Sequence, residues 1–382
     1  MNKRVIGKTG IESSVLGLGC MRLPIIGEDA SKIDEPKAIE MIRYAIDNGV
    51  NYIDTAYPYH GGMSESIVGK ALADGYREKV TLITKSPGWL IETQDDFFKF
   101  LDEQLEKLQT DTIDIYLLHA LGKERWEMYK KIDVFSAIEH AKAMGKIKHI
   151  GFSFHDEFDV FKEIVDGYDW ELCMLQLNFM DMEEQAGMRG LEYASEKGLP
   201  VIVMEPLKGG MLASPSDDIH ALWQSYPEKR SAVEWALRYV AHFENVKVVL
   251  SGMSSLEQIR ENIDIADKLE VGNLSADALA LVESVKNAYK SKIQVPCTQC
   301  KYCVPCPHGV EIPRVFTAFN RAHIFNMHEV VKEQYHANFS KEAKADQCVA
   351  CGECEPKCPQ RIEIIKMLRV VSEAFKMVES RD

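Results

Sequence analysis

LGLGCMRLP, residues 16–24, closes the first apolar run of the chain, and its reading decides between two architectures. A doubly wound open sheet that binds a dinucleotide carries G-x-G-x-x-G between its first strand and first helix. There the glycines let the backbone approach a pyrophosphate at a helix N-terminus. LGLGCMRLP has neither that spacing nor a helix start.

Outward from this stretch, short apolar runs alternate with longer amphipathic ones from about residue 15 to 290. The strand candidates are residues 14–20, 50–55, 80–85, 113–119, 149–154, 172–177, 200–205 and 246–252. Each is apolar on both faces, as strands of a parallel sheet buried on both sides should be. Helix-period segments lie between them, at 35–49, 63–74, 93–109, 131–144, 156–166, 184–197, 229–242 and 275–290, with a further one at 254–270. Residues 93–109 open on a Thr cap and carry acids in the first turn, two helix-start signals. Eight strand–helix alternations fit either a (β/α)8 barrel or a doubly wound sheet. The missing fingerprint favours an α/β fold of the (β/α)8, or TIM, barrel type. KRVIGKTGIE, residues 3–12, reads as a hairpin that would plug the bottom of the barrel.

The chain has 382 residues, 46% apolar and 27% charged, a globular composition with room for a large core and a second domain. Its formal charge of −14 argues against nucleic acid as a partner, because phosphate contacts require clustered Lys and Arg. No run of eighteen apolar residues suggests a membrane span, and MNKRVIGKTGIESS lacks the apolar region of a signal peptide.

Eight of the ten cysteines fall in two stretches, CTQCKYCVPCP at 297–307 and CVACGECEPKCP at 348–359. A disulfide framework would be spread through a short secreted chain, so a reducing cytoplasm is expected. The second stretch is C-x2-C-x2-C-x3-C-P, the bacterial ferredoxin run, whose fourth cysteine ligates the other cluster. The first is one residue shorter in its last step, with Pro305 and Pro307 flanking Cys306. Two 4Fe-4S clusters are therefore expected in a crossed arrangement: Cys297, Cys300 and Cys303 with Cys358, and Cys348, Cys351 and Cys354 with Cys306. Zinc is the weaker alternative, since zinc sites use pairs of C-x-x-C separated by a loop. Cys20 and Cys173 read as buried small apolar residues. The insert 309–346 and residues 362–378 are helix-prone, a layout that resembles the α-helical ferredoxin modules of respiratory iron–sulfur subunits. Residues 1–290 are thus expected to form the barrel and 291–382 a small, mainly helical, ferredoxin-like domain. Residues 296–382 carry 12 Lys and Arg against 11 Asp and Glu, so the acidic excess lies ahead of them.

Chemistry in such barrels sits at the C-terminal ends of the strands. Those ends offer Asp54 with Tyr59 five residues on, then Lys85, then His119. A Tyr beside a Lys ammonium should have its pKa lowered, an Asp should keep the Lys charged, and a His can orient a carbonyl oxygen. Taken singly, each has an ordinary reading: a solvated strand end, or a helix cap for Asp54. Tyr57 competes with Tyr59, and the residues alone do not choose.

The succession GLGCMRLP, DTAYPYHGGMSE, ITKS, YLLHAL, GKIKHIGFSFH, QLNFM, VMEPLKGGML and LSGMSSLEQIRENI resembles the aldo-keto reductases over roughly the first 270 residues. The resemblance implies a (β/α)8 barrel and a tetrad of Asp54, Tyr59, Lys85 and His119, its Asp-to-Tyr spacing selecting Tyr59. It implies hydride transfer between a nicotinamide, NADPH or NADH, and a small carbonyl or alcohol, with Tyr59 as proton donor. The cofactor positions it implies are Met21, Arg22, Ser153, Gln176, Met204, Leu207, Gly252, Gln258 and Asn262. Three departures stand out. Phe154 replaces the Asn that follows the family's Ser, Met204 stands where many members have a Tyr, and Gly252 and Gln258 replace basic residues that grip a 2′-phosphate. Losing those cations should weaken preference for NADPH over NADH.

Three functional readings follow. In the first, the clusters relay single electrons between the reductase and ferredoxin or another redox partner. In the second, the carbonyl reductase stands and the clusters are structural or oxygen-sensing. In the third, the barrel is a non-catalytic electron-transfer or interaction module. The intact tetrad counts against the third.

Overall fold

A computed structural model describes residues 1–376. The chain divides into two compact units. One comprises Met1–Ala213 and Arg230–Leu279, the other Ser214–Lys229 and the chain from Ala280 onward. A division at residue 290 is expected from the sequence, whereas the compact units part inside helix Ala276–Lys290, and residues 214–229 group with the cysteine-rich tail. Within that second unit Lys292 holds the grouping, its ammonium donating to Ser216 Oγ at 2.6 Å and to Asp218 Oδ1 at 2.8 Å.

The first unit is a (β/α)8 barrel. A hairpin of β1 (Lys3–Val5) and β2 (Glu12–Ser14) precedes it. The barrel strands are β3 (Leu16–Gly19), β4 (Tyr52–Asp54), β5 (Thr81–Ser86), β6 (Ile113–Leu121), β7 (Ile147–Phe154), β8 (Leu172–Gln176), β9 (Val201–Met204) and β10 (Val246–Ser251). All eight pair in parallel, and β10 closes on β3 with Val249 opposite Leu16. Side chains from Tyr52, Ile83, Leu117, Met174, Ile202 and Val248 fill the interior, and Ile6 of the hairpin joins them. The hairpin sits at the N-terminal end of the strands, where Gly7 packs against Pro200 just before β9. The expected plug is therefore present.

The opening stretch now has a physical explanation. A Cβ on Gly17 would stand 2.7 Å from Leu250 Cδ2 and 2.9 Å from Val248 Cγ1. Gly17 is there because the packed interior leaves no room for a side chain.

The helices follow local signals where these are strong. Thr93 and Asp96 form a reciprocal capping box ahead of helix Gln94–Leu108, and Asp34 caps helix Glu35–Asp47. Helix Lys123–Lys131 has no counterpart in the periodicity reading. It is short and polar, and two buried side chains, Trp126 and Tyr129, anchor it. Helix Asp217–Gln224 was likewise illegible, being eight residues long.

The second unit packs helices Ile312–Ile324, His328–Asn338 and Ile364–Ala374 around Phe316, Phe319, Tyr335, Leu368 and Val371. Cys297, Cys303, Cys306, Cys348, Cys354 and Cys358 pack against this core. Asn320 fastens the start of the tail, accepting from Gln294 N and Val295 N and donating to Val295 O at 2.7 Å. The last two residues of the expected helix 362–378 lie outside the described residues. No described helix is long and apolar enough to cross a membrane.

Candidate active site and cysteine-lined cavities

β4 ends in Asp54 and β5 carries Lys85 one residue before its end, so parallel pairing brings the two together. Lys85 Nζ donates to Asp54 Oδ1 at 2.6 Å, to Thr55 O at 2.8 Å and to the Tyr59 hydroxyl at 3.1 Å. Asp54 and Lys85 are 2% and 1% exposed, so this ion pair is shielded from water. Asp54 thus serves no helix as a cap. The two tyrosines differ in geometry. Tyr57 turns away and donates to Glu103 Oε1 at 3.1 Å, while Tyr59 reaches Lys85. His119, on β6, stands edge-on to the Tyr59 ring with centroids 6.2 Å apart, and the Trp89 ring packs on it with centroids 5.4 Å apart.

Burial sets the electrostatics. Desolvation alone would push the Lys85 ammonium down, but Asp54 and then Tyr59 outweigh it and its pKa is raised. Burial raises the Asp54 carboxyl, opposed by the attraction of Lys85. Tyr59 corrects the expectation of a lowered pKa. Burial raises it above the ordinary tyrosine value, and the opposing pull of Lys85 does not make up the difference. Tyr59 is therefore a protonated hydroxyl at neutral pH. Burial, then Lys85, lowers the His119 pKa to about 2, which leaves the ring neutral. Two buried polar atoms, Asp54 Oδ2 and His119 Nδ1, lack a hydrogen-bond partner among the described residues.

The tetrad lies in the wall of a cavity of about 250 Å³. Of the residues the resemblance implied for a cofactor, Met21, Arg22, Ser153, Met204, Leu207 and Gly252 line it. Gln176, Gln258 and Asn262 do not. Gln176 donates to Asp181 Oδ2 and accepts from Gln185 Nε2, both at 3.1 Å. Gln258 is exposed and accepts from Ser254 N at 2.8 Å. Asn262 is buried against Ser251 Oγ at 2.8 Å. Phe154 is no replacement lining within the cavity, for it turns outward and packs on Phe161 of helix Phe158–Gly167. His155, the next residue, lines the cavity instead, as do Glu205, Gly209 and Gly210. The signal for His155 was its place just past a strand end. Nothing in the sequence singles out the others.

Cys20 and Cys173 are buried, and desolvation pushes both thiols up. The other eight surround two cavities in the second unit. Cys297, Cys300, Cys303 and Cys358 line one. Cys348, Cys351, Cys354 and Cys306 line the other, with Cys303 also at its wall. Among the described residues no three His, Cys, Asp or Glu side chains close on a single metal-ion position. Four sulfur donors around each space fit the donor set of a cubane cluster.

A model of the Aldo/keto reductase family matches residues 15–287, and one of the 4Fe-4S dicluster domain matches residues 296–363. The uncharacterized oxidoreductase YqkF of Bacillus subtilis (strain 168) is 30% identical over 297 residues, covering 70% of this chain and 92% of that one. The holo form of an aldo-keto reductase from Bacillus halodurans superposes with a TM-score of 0.64 at 27% identity, covering 75% of this chain and 96% of that one. A Klebsiella pneumoniae aldo-keto reductase in complex with NADPH gives 0.60 at 25% identity, with coverage of 75% and 96%. With the barrel, the strand-end residues and a match over well beyond half its length, this chain belongs to the aldo/keto reductase family, and is an oxidoreductase that carries a 4Fe-4S dicluster domain.

Proposed function

We propose that the barrel reduces a small carbonyl compound, or oxidises the matching alcohol, with a nicotinamide dinucleotide, and that the second unit holds two 4Fe-4S clusters. One observation carries the enzymatic part: Lys85 is buried between Asp54 and Tyr59 at 2.6 and 3.1 Å in the wall of the large cavity.

The cavity suits a nicotinamide, with Ser153 and Arg22 as polar lining and Gly252 leaving space beside Arg22. When bound, that group supplies or accepts the hydride. The chain's own residues do the rest. Asp54 keeps Lys85 charged in a site that excludes water. Lys85 orients the Tyr59 hydroxyl and favours the charge that develops there as its proton leaves. Tyr59 delivers that proton to the carbonyl oxygen. His119, neutral, can donate a hydrogen bond to the same oxygen without competing for the proton. The NADPH complex of the Klebsiella relative supports a nicotinamide at this site.

The crossed ligand sets supply four thiols to each cavity. Cys300 and Cys351 are exposed, so both clusters would come close to the surface. This supports single-electron exchange with ferredoxin or another carrier protein. The packing of six thiols on the second unit's core supports a structural role as well.

Tyr59→Phe tests the enzymatic reading. Carbonyl reduction should fall by about 10²- to 10⁴-fold, the usual worth of a positioned acid, while nicotinamide binding persists. Unchanged turnover rules the reading out. For the relay, an anaerobic spectrum on adding NADPH or NADH should show the cluster band bleach, and an unaltered band leaves the structural role.

A further inference from the structure

The two cysteine loops place left-handed backbone at matching positions and differ in charge between their second and third cysteines, with Lys301 where the second has Gly352 and Tyr302 where it has Glu353. In the first, Gln299 and Lys301 adopt positive φ values of 56° and 62°, on either side of Cys300. In the second, Ala350 and Gly352 do so at 59° and 82°, on either side of Cys351. Lys301 and Gly352 are therefore structural equivalents. Glycine adopts this conformation freely, whereas a lysine is disfavoured there. The cost of Lys301 is not repaid by packing. The residue is exposed, and among the described residues its ammonium has no ion-pair or hydrogen-bond partner.

The surroundings extend the asymmetry. Among the described residues Lys301 is the sole charged one lining the cavity of Cys297, Cys300, Cys303 and Cys358. The cavity of Cys306, Cys348, Cys351 and Cys354 is lined by Glu353 and Lys357, whose charges cancel. Reduction adds negative charge to a cluster, and a nearby cation stabilises it. A charge on the residue directly after a ligand cysteine lies within about 10 Å of the cluster, the screening length at 0.1 M salt.

We propose that Lys301 makes the two clusters unequal, holding the one bound by Cys297, Cys300, Cys303 and Cys358 at the higher reduction potential. This rests on the two-cluster reading above. An electron shared by the pair then rests on the cluster whose ligand Cys303 directly follows Tyr302, a residue 67% exposed.

The test is an anaerobic EPR-monitored redox titration of the full chain, alongside iron and sulfide analysis. The wild type should titrate in two separate one-electron waves. Lys301→Gln should move the upper wave to lower potential and leave the lower one in place, and Lys301→Arg should restore it. High salt should narrow the separation in the wild type but not in Lys301→Gln. About eight irons per chain, four for each cubane, with both waves unmoved in Lys301→Gln, overturns this inference and leaves the two-cluster reading standing. About four irons and one wave overturns both.

Discussion

Lys85 and Asp54 form an ion pair at 2.6 Å with almost no exposure, and the second oxygen of Asp54 has no hydrogen-bond partner among the described residues. Asp54 is thus matched through one oxygen, while Lys85 is held by Asp54, Thr55 O and the Tyr59 hydroxyl. Such pairs are costly to break, because removing one partner strands the other.

Asp54→Asn should therefore destabilise the barrel by about 3 kcal/mol or more, the lower end for a stranded buried charge. Denaturant unfolding checks this. The double variant Asp54→Asn/Lys85→Met should recover part of the loss, since no charge remains buried. A double variant no more stable than the single one would show that the pair's charges are not what matters.

His119 gives a pH dependence whose sign follows from its shift. Its folded pKa is about 2 against an ordinary 6.5, lowered by burial and then by Lys85. Between those values the unfolded chain binds a proton that the folded chain does not. Stability from this residue is thus complete above pH 6.5 and lost as pH falls below it. His119→Gln should flatten the decline of stability between about pH 6.5 and 4.5, by up to one proton in the slope. Thermal unfolding over that range measures it, and parallel slopes for the two proteins would contradict the shift.

Gly252 lines the cavity and Gln258 is exposed, and neither is cationic. Direct fluorescence titration should give NADH and NADPH dissociation constants within about tenfold, less than one charge-assisted bond of about 1.5–3 kcal/mol would separate. Gly252→Lys with Gln258→Arg should favour NADPH by tenfold or more. The nearest atoms to a Cβ at position 252 would be those of the flexible Arg22 side chain, from 3.4 Å, so the first change is sterically mild. Far tighter NADPH binding by the wild type would show that cations elsewhere grip the phosphate.

Cys306 and Cys358 test the crossing. Cys306 lines the cavity of Cys348, Cys351 and Cys354, and Cys358 that of Cys297, Cys300 and Cys303. Cys306→Ala combined with Cys351→Ala should disturb one EPR signal, with non-additive iron loss, as expected for residues sharing a site. Cys306→Ala combined with Cys300→Ala should disturb both signals. The reverse pattern would mean that each stretch ligates its own cluster.

Much of this molecule was legible in local pattern. The strand–helix alternation and the absent third glycine in LGLGCMRLP pointed to the barrel, because burial of a parallel sheet on both faces writes itself as continuous apolar runs. Asp54, Lys85 and His119 were visible because strand ends are where such barrels present polar groups. The two cysteine runs were legible because a cluster's size dictates ligand spacing. Helix Lys123–Lys131 was not, since it depends on Trp126 fitting over Gly167, where a Cβ would meet the indole at 2.3 Å. Phe154 looked like a lost cofactor contact because the sequence does not say which way a residue turns once its strand has ended.

The residue types at the site, their order and the metal-binding spacing belong to the sequence by itself. The placing of Tyr59 rather than Tyr57 beside Lys85 and the upward direction of the Tyr59 pKa belong to the tertiary structure. Desolvation and long-range approach exist only once the chain has closed on itself, and at Tyr59 desolvation outweighs the neighbouring charge that the sequence had made visible.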